Sequence, residues 1–115
     1  VLIGELAERA GVTTRMVRHY ANAGLVPDIR DANGYRDFHP RDVTRVRQIQ
    51  SLVGLGLTVT QVSSLLPCLG EDPAPPSCPA ARKALEQRLN SIDAQVDDLT
   101  ALRQRILANL APHPS

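Results

Sequence analysis

Few side chains carry chemistry, and among these 115 residues the carriers are thirteen cations, three histidines and two cysteines. Twelve of the cations are Arg, whose planar fork suits bidentate contact with phosphate or guanine, although genomic base composition produces the same bias. His19, His39 and His113 are dispersed, and neither a His-Glu-x-x-His pattern nor a glycine-rich phosphate loop is present. The chain therefore reads as a non-enzyme with no required cofactor. Cys68 and Cys78 lack the close Cys-x-x-Cys spacing and βαβ setting of a thiol oxidoreductase, which makes that reading a poor alternative. They are also too few for a disulfide-stapled secreted fold. Three roles stay open for the pair: packing only, a response to thiol oxidation, or a metal site completed by other groups. A disulfide between them is chemically possible.

Charge is laid out unevenly. Residues 1–47 hold eight Arg and six acids, residues 48–79 hold two acids and no cation, and residues 80–115 hold five basic and four acidic residues. A net charge of +1 does not exclude nucleic-acid binding, because the local basic face is what matters. With only Phe38, Tyr20, Tyr35 and no Trp, there is little material for an aromatic-lined pocket or a base-stacking platform. No apolar run approaches the roughly 20 residues of a membrane span and no signal peptide opens the chain, so a cytoplasmic location is expected.

The elements that must position these groups follow from periodicity. Leu2, Ile3, Leu6, Ala7 and Ala10 recur at the spacing of a helix with one buried face, and Gly11 stops it. Thr13 can cap a second helix, Thr14 to Asn22, ended by Gly24. Two short helices across a glycine-containing turn make a helix-turn-helix. Asn33-Gly34, flanked by Pro27 to Arg30 and Tyr35 to Phe38, predicts a small β-wing. Pro40 suits the first turn of a third helix running to Gly54, and Thr58 caps a short fourth from Val59 to Leu66.

From Pro67 the pattern breaks into a proline-rich hinge, and then a different period begins. Leu85, Leu89, Ile92, Val96, Leu99, Ile106 and Leu110 alternate in steps of four and three, interrupted where Arg103 takes a seam position. This is a heptad seam on one long helix. Seven aliphatic side chains at roughly 1.5 to 3 kcal/mol each represent about 10 to 20 kcal/mol of gross burial, an upper bound. A single helix of this length exceeds what so small a head can cover, so self-association into a homodimer is expected. Arg103 either sets the register of the pair or snorkels out. The expected organisation is a head at 1–66, a hinge at 67–78, a dimerisation helix at 79–110 and a short tail at 111–115.

Five motifs in this order carry a family resemblance: Ile3-Gly4-Glu5-Leu6-Ala7 through Gly11-Val12-Thr13; Val17-Arg18-His19-Tyr20; Gly24-Leu25-Val26; Asn33-Gly34-Tyr35-Arg36-Asp37-Phe38; and Leu55-Gly56-Leu57-Thr58. Together with the heptad helix, the chain resembles the MerR family of bacterial transcription regulators. The resemblance implies a mainly α fold: a winged helix-turn-helix head plus a long C-terminal dimerisation helix forming an antiparallel coiled coil. It further implies binding to double-stranded promoter DNA beside RNA polymerase, with regulation by bending and untwisting that DNA. An excisionase-like architectural DNA-bending protein shares the winged head and is the second alternative, but it needs no rigid two-fold spacer.

On the second helix Thr14, Arg15, Arg18 and His19 cluster where a recognition helix meets the major groove. Arg15 or His19 would reach base edges. Arg18 and Tyr20 match the family's Arg-x-Tyr and would hold phosphates, with Tyr35 and Arg36 of the wing gripping the flanking backbone. Tyr20 can equally be a core residue closing the helix pair, Arg18 and Arg36 can be solvated surface charge, and His19 a plain surface residue. One departure from the family is that Gln50-Ser51-Leu52-Val53-Gly54 lacks the usual cation, which puts a further phosphate clamp in doubt. Cys78 stands just ahead of the long helix, where metal-sensing members carry a ligand, and His113 lies near a second such position. A Cys78 and His113 site is a thin candidate, because zinc wants four ligands and soft Cu(I) prefers thiolates.

Overall fold

The computed structural model describes residues 1–27, 29–70 and 78–112. Its elements are α1 (Ile3–Ala10), α2 (Thr14–Asn22), α3 (Asp42–Gly54), α4 (Val59–Leu65), a short 3-10 turn (Leu66–Cys68) and α5 (Pro79–Leu110). The radius of gyration is 20.5 Å, against about 13 Å for a compact chain of this length, so a large part of the chain stands clear of the core. That part is α5.

The head is built on an aliphatic core. Leu6 of α1, Val17 of α2, Val46 and Ile49 of α3 and Val62 of α4 are fully buried, and α1 packs on both α2 and α3. The α1 to α2 turn is tight because Gly11 takes a left-handed φ of 74° and Thr13 then caps α2, its hydroxyl accepting from the Met16 N–H at 3.1 Å. At α4 the Thr58 and Gln61 side chains each accept the other's backbone N–H, at 3.1 and 2.8 Å, in a capping box.

Three expectations are adjusted. The wing is a turn closed by one antiparallel bridge, Arg30 to Arg36, rather than a hairpin of strands, and the described residues contain no strand. Asp31 Oδ1 accepts the Asn33 and Tyr35 N–H groups at 2.8 and 3.0 Å, so a side chain does locally what a longer ladder would otherwise do. Helix α3 begins at Asp42 rather than at Pro40, because Asp42 folds back to accept the His39 N–H at 2.9 Å. Pro67 does not simply end α4; it sits in the 3-10 turn that carries the chain to Cys68. Asp28, residues 71–77 of the hinge and residues 113–115 of the tail lie outside the described residues.

Helix α5 has 32 residues, with Cys78 as N-cap and Pro79 in its first turn. Ala81 is fully buried, and Ala84 and Leu85 lean on the head core. Arg88 Nε donates to the Leu55 carbonyl at 3.2 Å. Beyond Arg88 every described residue is exposed. No described helix is long and apolar enough to cross a membrane.

Candidate nucleic-acid interface

Helix α2 separates its residues cleanly. Met16, Val17, Tyr20 and Ala21 turn toward the core, while Arg15, Arg18, His19 and Asn22 are exposed and Thr14 is half-buried beside them. The exposed set follows the i, i+3, i+4 rule, so it forms one contiguous face. Arg15 and Arg18 have no ion-pair or hydrogen-bond partner among the described residues. Two cations without an acid on a solvent-facing helix are poised for an external anion, and a guanidinium fork matches phosphate and guanine geometry.

The wing adds to this face. Tyr35 is exposed at its tip, whereas Arg36 is half-buried and its Nη2 donates to Asn22 Oδ1 at 2.7 Å. That bond ties the wing to the last turn of α2. Asn22, which the sequence reading left out, is therefore the joint between α2 and the wing. Its position three residues after His19 on the polar face was the available signal.

Tyr20 takes the role of closing residue. It is 2% exposed, and its hydroxyl donates to Gln50 Oε1 at 2.6 Å. Burial pushes the phenol above its ordinary pKa. Through this bond Gln50 anchors α2 to α3.

The seam residues divide in two. Leu85 belongs to the head, while Leu89, Ile92, Val96, Leu99, Ile106 and Leu110 are exposed along the free part of α5. Leu102 and Leu107 are exposed as well, which widens the apolar stripe toward the far end beyond the strict heptad. The stripe is contiguous rather than scattered exposure, the kind of patch that marks interaction sites in general.

Cys68 and Cys78 are bonded to each other as a disulfide. Both thiols are thereby consumed, and the described residues hold no group of three or more His, Cys, Asp or Glu able to hold a metal ion. Among the described residues, the side chains as arranged do not fit a metal centre. His113, the other half of the Cys78 candidate, lies outside the described residues.

A helix-turn-helix with a wing, a cationic recognition face and a protruding apolar rod defines a DNA-binding regulator. Residues 2–68 match the family described as MerR HTH family regulatory protein, and residues 43–108 match MerR, DNA binding. The chain belongs to the MerR family of transcription regulators. It is 36% identical over 104 residues to the HTH-type transcriptional regulator HmrR of Rhizobium leguminosarum bv. viciae, covering 90% of this chain and 79% of that protein. The heavy metal-dependent transcription regulator 2 of Rhizobium meliloti strain 1021 is 32% identical over 114 residues, covering 96% and 74% respectively. Among solved structures, EcmrR in its DNA complex aligns with a TM-score of 0.71 at 28% identity, over 96% of this chain and 38% of that one. The comparisons favour neither an excisionase-like protein nor a thiol oxidoreductase.

Proposed function

We propose that two copies of this chain pair through α5 in an antiparallel coiled coil and together grip the two halves of a palindromic promoter site, in the cytoplasm. The α2 face enters the major groove with Thr14, Arg15 and His19 toward base edges, and Arg18 holds a phosphate. Tyr35 and Arg36 of the wing grip the flanking backbone, with Arg36 braced by Asn22. Tyr20 acts through the core by fixing α2 on α3. The exposed seam from Leu89 to Leu110 sets the distance between the heads, so that engaging both half-sites bends and untwists the duplex between them and alters its use by RNA polymerase. The activity is binding and distortion, with no bond made or broken.

The observation that carries this reading is the pair of guanidinium groups, Arg15 and Arg18, without a partner among the described residues, on one exposed face of a helix seated on its partner helix. The test is selection of duplexes from a random-sequence pool on the purified protein, followed by footprinting. A single two-fold symmetric footprint supports the reading. Failure to enrich any duplex at low salt, or tandem footprints without symmetry, refutes it.

A further inference from the structure

We propose that Cys68 and Cys78 form a reversible dithiol–disulfide switch that fixes the α5 rod to the head when oxidised and loosens it when reduced. This rests on the DNA-binding reading above, since its output is operator affinity. The bond joins two different elements: Cys68 closes the 3-10 turn at the end of the head, and Cys78 is the N-cap of the rod, ten positions later. Apart from this bond, the root of α5 is held by the burial of Ala81, by Ala84 and Leu85 against the core, and by the Arg88 to Leu55 hydrogen bond. Few contacts hold a long lever, so one covalent tie at its base matters. A protein that meets chromosomal DNA works beside thiol-reducing pools, where a persistent disulfide is uncommon and those that form are mostly transient, catalytic or redox-sensing.

The two sulfurs are not equivalent. Cys78 Sγ accepts the Ala81 N–H at 3.4 Å at the start of a 32-residue helix, a setting that favours the thiolate. Cys68 has no such donor among the described residues. Both residues are half-buried, leaving a route for a small reagent. In reduction, an external thiolate attacks Cys68 Sγ, the S–S bond breaks and Cys78 leaves as the stabilised thiolate. A second external thiol attacks the mixed disulfide and releases Cys68. Two electrons pass to the pair, Cys68 takes the proton of the second thiol while Cys78 stays a thiolate, and the external thiols become a disulfide. In oxidation by a hydroperoxide, the Cys78 thiolate takes the terminal oxygen to give a sulfenic acid, and the peroxide's remaining oxygen takes a proton from solvent and leaves as water or an alcohol. Cys68 then attacks that sulfur and expels water, closing the bond.

Oxidation pre-organises the spacing of the heads, so the oxidised dimer binds its operator more tightly, by roughly 5- to 150-fold as allosteric couplings commonly run. The test uses the full chain, equilibrated in glutathione buffers of graded thiol-to-disulfide ratio or treated with hydrogen peroxide. Alkylation and mass measurement count the thiols, hydrogen exchange follows the Arg82 to Leu85 amides, and affinity is measured on the selected duplex. A C68S/C78S variant serves as the permanently open form, and it should fold because serine is itself a good N-cap. The reduced protein is expected to take two alkyl groups, exchange faster at the root of α5 and bind DNA more weakly. The double variant should match it and ignore peroxide.

Several results overturn the proposal: equal affinity of the two forms on a duplex they both bind, a pair that reduced glutathione cannot open or peroxide cannot close, or a double variant that still responds to peroxide. Should neither form bind any duplex, the DNA-binding reading fails separately, and the exchange difference at α5 alone decides whether the lock exists.

Discussion

In the proposed complex Arg18→Ala removes one phosphate contact per subunit, and two-fold symmetry doubles the loss. Arg18 is exposed and has no partner among the described residues, so its removal leaves no buried group stranded and no core residue moved. The dimer should keep its mass and melting behaviour. Each neutralised phosphate contributes about 0.9 to the slope of log affinity against log salt, so the variant should be shallower by about 1.8. Raising salt from about 50 to about 200 mM then narrows the gap between wild type and variant by about 12-fold. Fluorescence anisotropy on the selected duplex across that range measures this directly. A phosphate contact carries no sequence information, so the affinity ratio should be nearly the same on a point-mutated duplex. Parallel salt plots for the two proteins, or a ratio that changes with a single base pair, would remove Arg18 from the phosphate contacts.

Further expectations follow from the same geometry. Arg15→Ala should relax discrimination at one position of each half-site by about 1 to 3 kcal/mol, read by comparing affinities across single-base variants of the operator. Replacing Leu89 and Val96 by Glu places charge on the exposed seam and should yield monomers by light scattering; a surviving dimer would refute the seam assignment. Tyr20→Phe loses the bond to Gln50, costing about 1 kcal/mol by denaturant titration. Because burial raises the Tyr20 pKa above its ordinary 10.0, its contribution is complete below that value and is lost as pH climbs through the raised one. The stability of the Phe variant should therefore fall less steeply in strong alkali. Gly56 has φ +96°, and a Cβ there would run into the Arg88 side chain, so Gly56→Ala should destabilise by about 1 to 2 kcal/mol from backbone strain alone. Adding Arg88→Ala should relieve only the clash.

Local signals read well because local physics decides them. Thr13 as cap, the Thr14–Asn22 helix, the Gly11 stop and the long rod from Pro79 are each set by residues within a turn or two of one another. What stayed hidden depends on distant partners. Tyr20 carries an amphipathic side chain that suits either a phosphate or a core, and only Gln50, thirty positions away, decides between them. The brace of Arg36 on Asn22 and the Arg88 hold on Leu55 span 14 and 33 positions, beyond any periodicity argument. The wing shrank to one bridge because Asp31 competes for the amides around it. Spacing alone left the cysteines open among packing, redox and metal roles, since only the folded chain places Cys68 at the end of the head against Cys78 at the start of the rod.

The length of α5 turns its root into a lever. At about 1.5 Å per residue its 32 residues span about 48 Å. A tilt of about 4° at Cys78 therefore displaces the far tip by about 3.4 Å, one base-pair rise of a duplex. In the proposed dimer such a tilt amounts to one step of misalignment at the other half-site, so the stiffness of this joint would set which operator lengths the pair accepts.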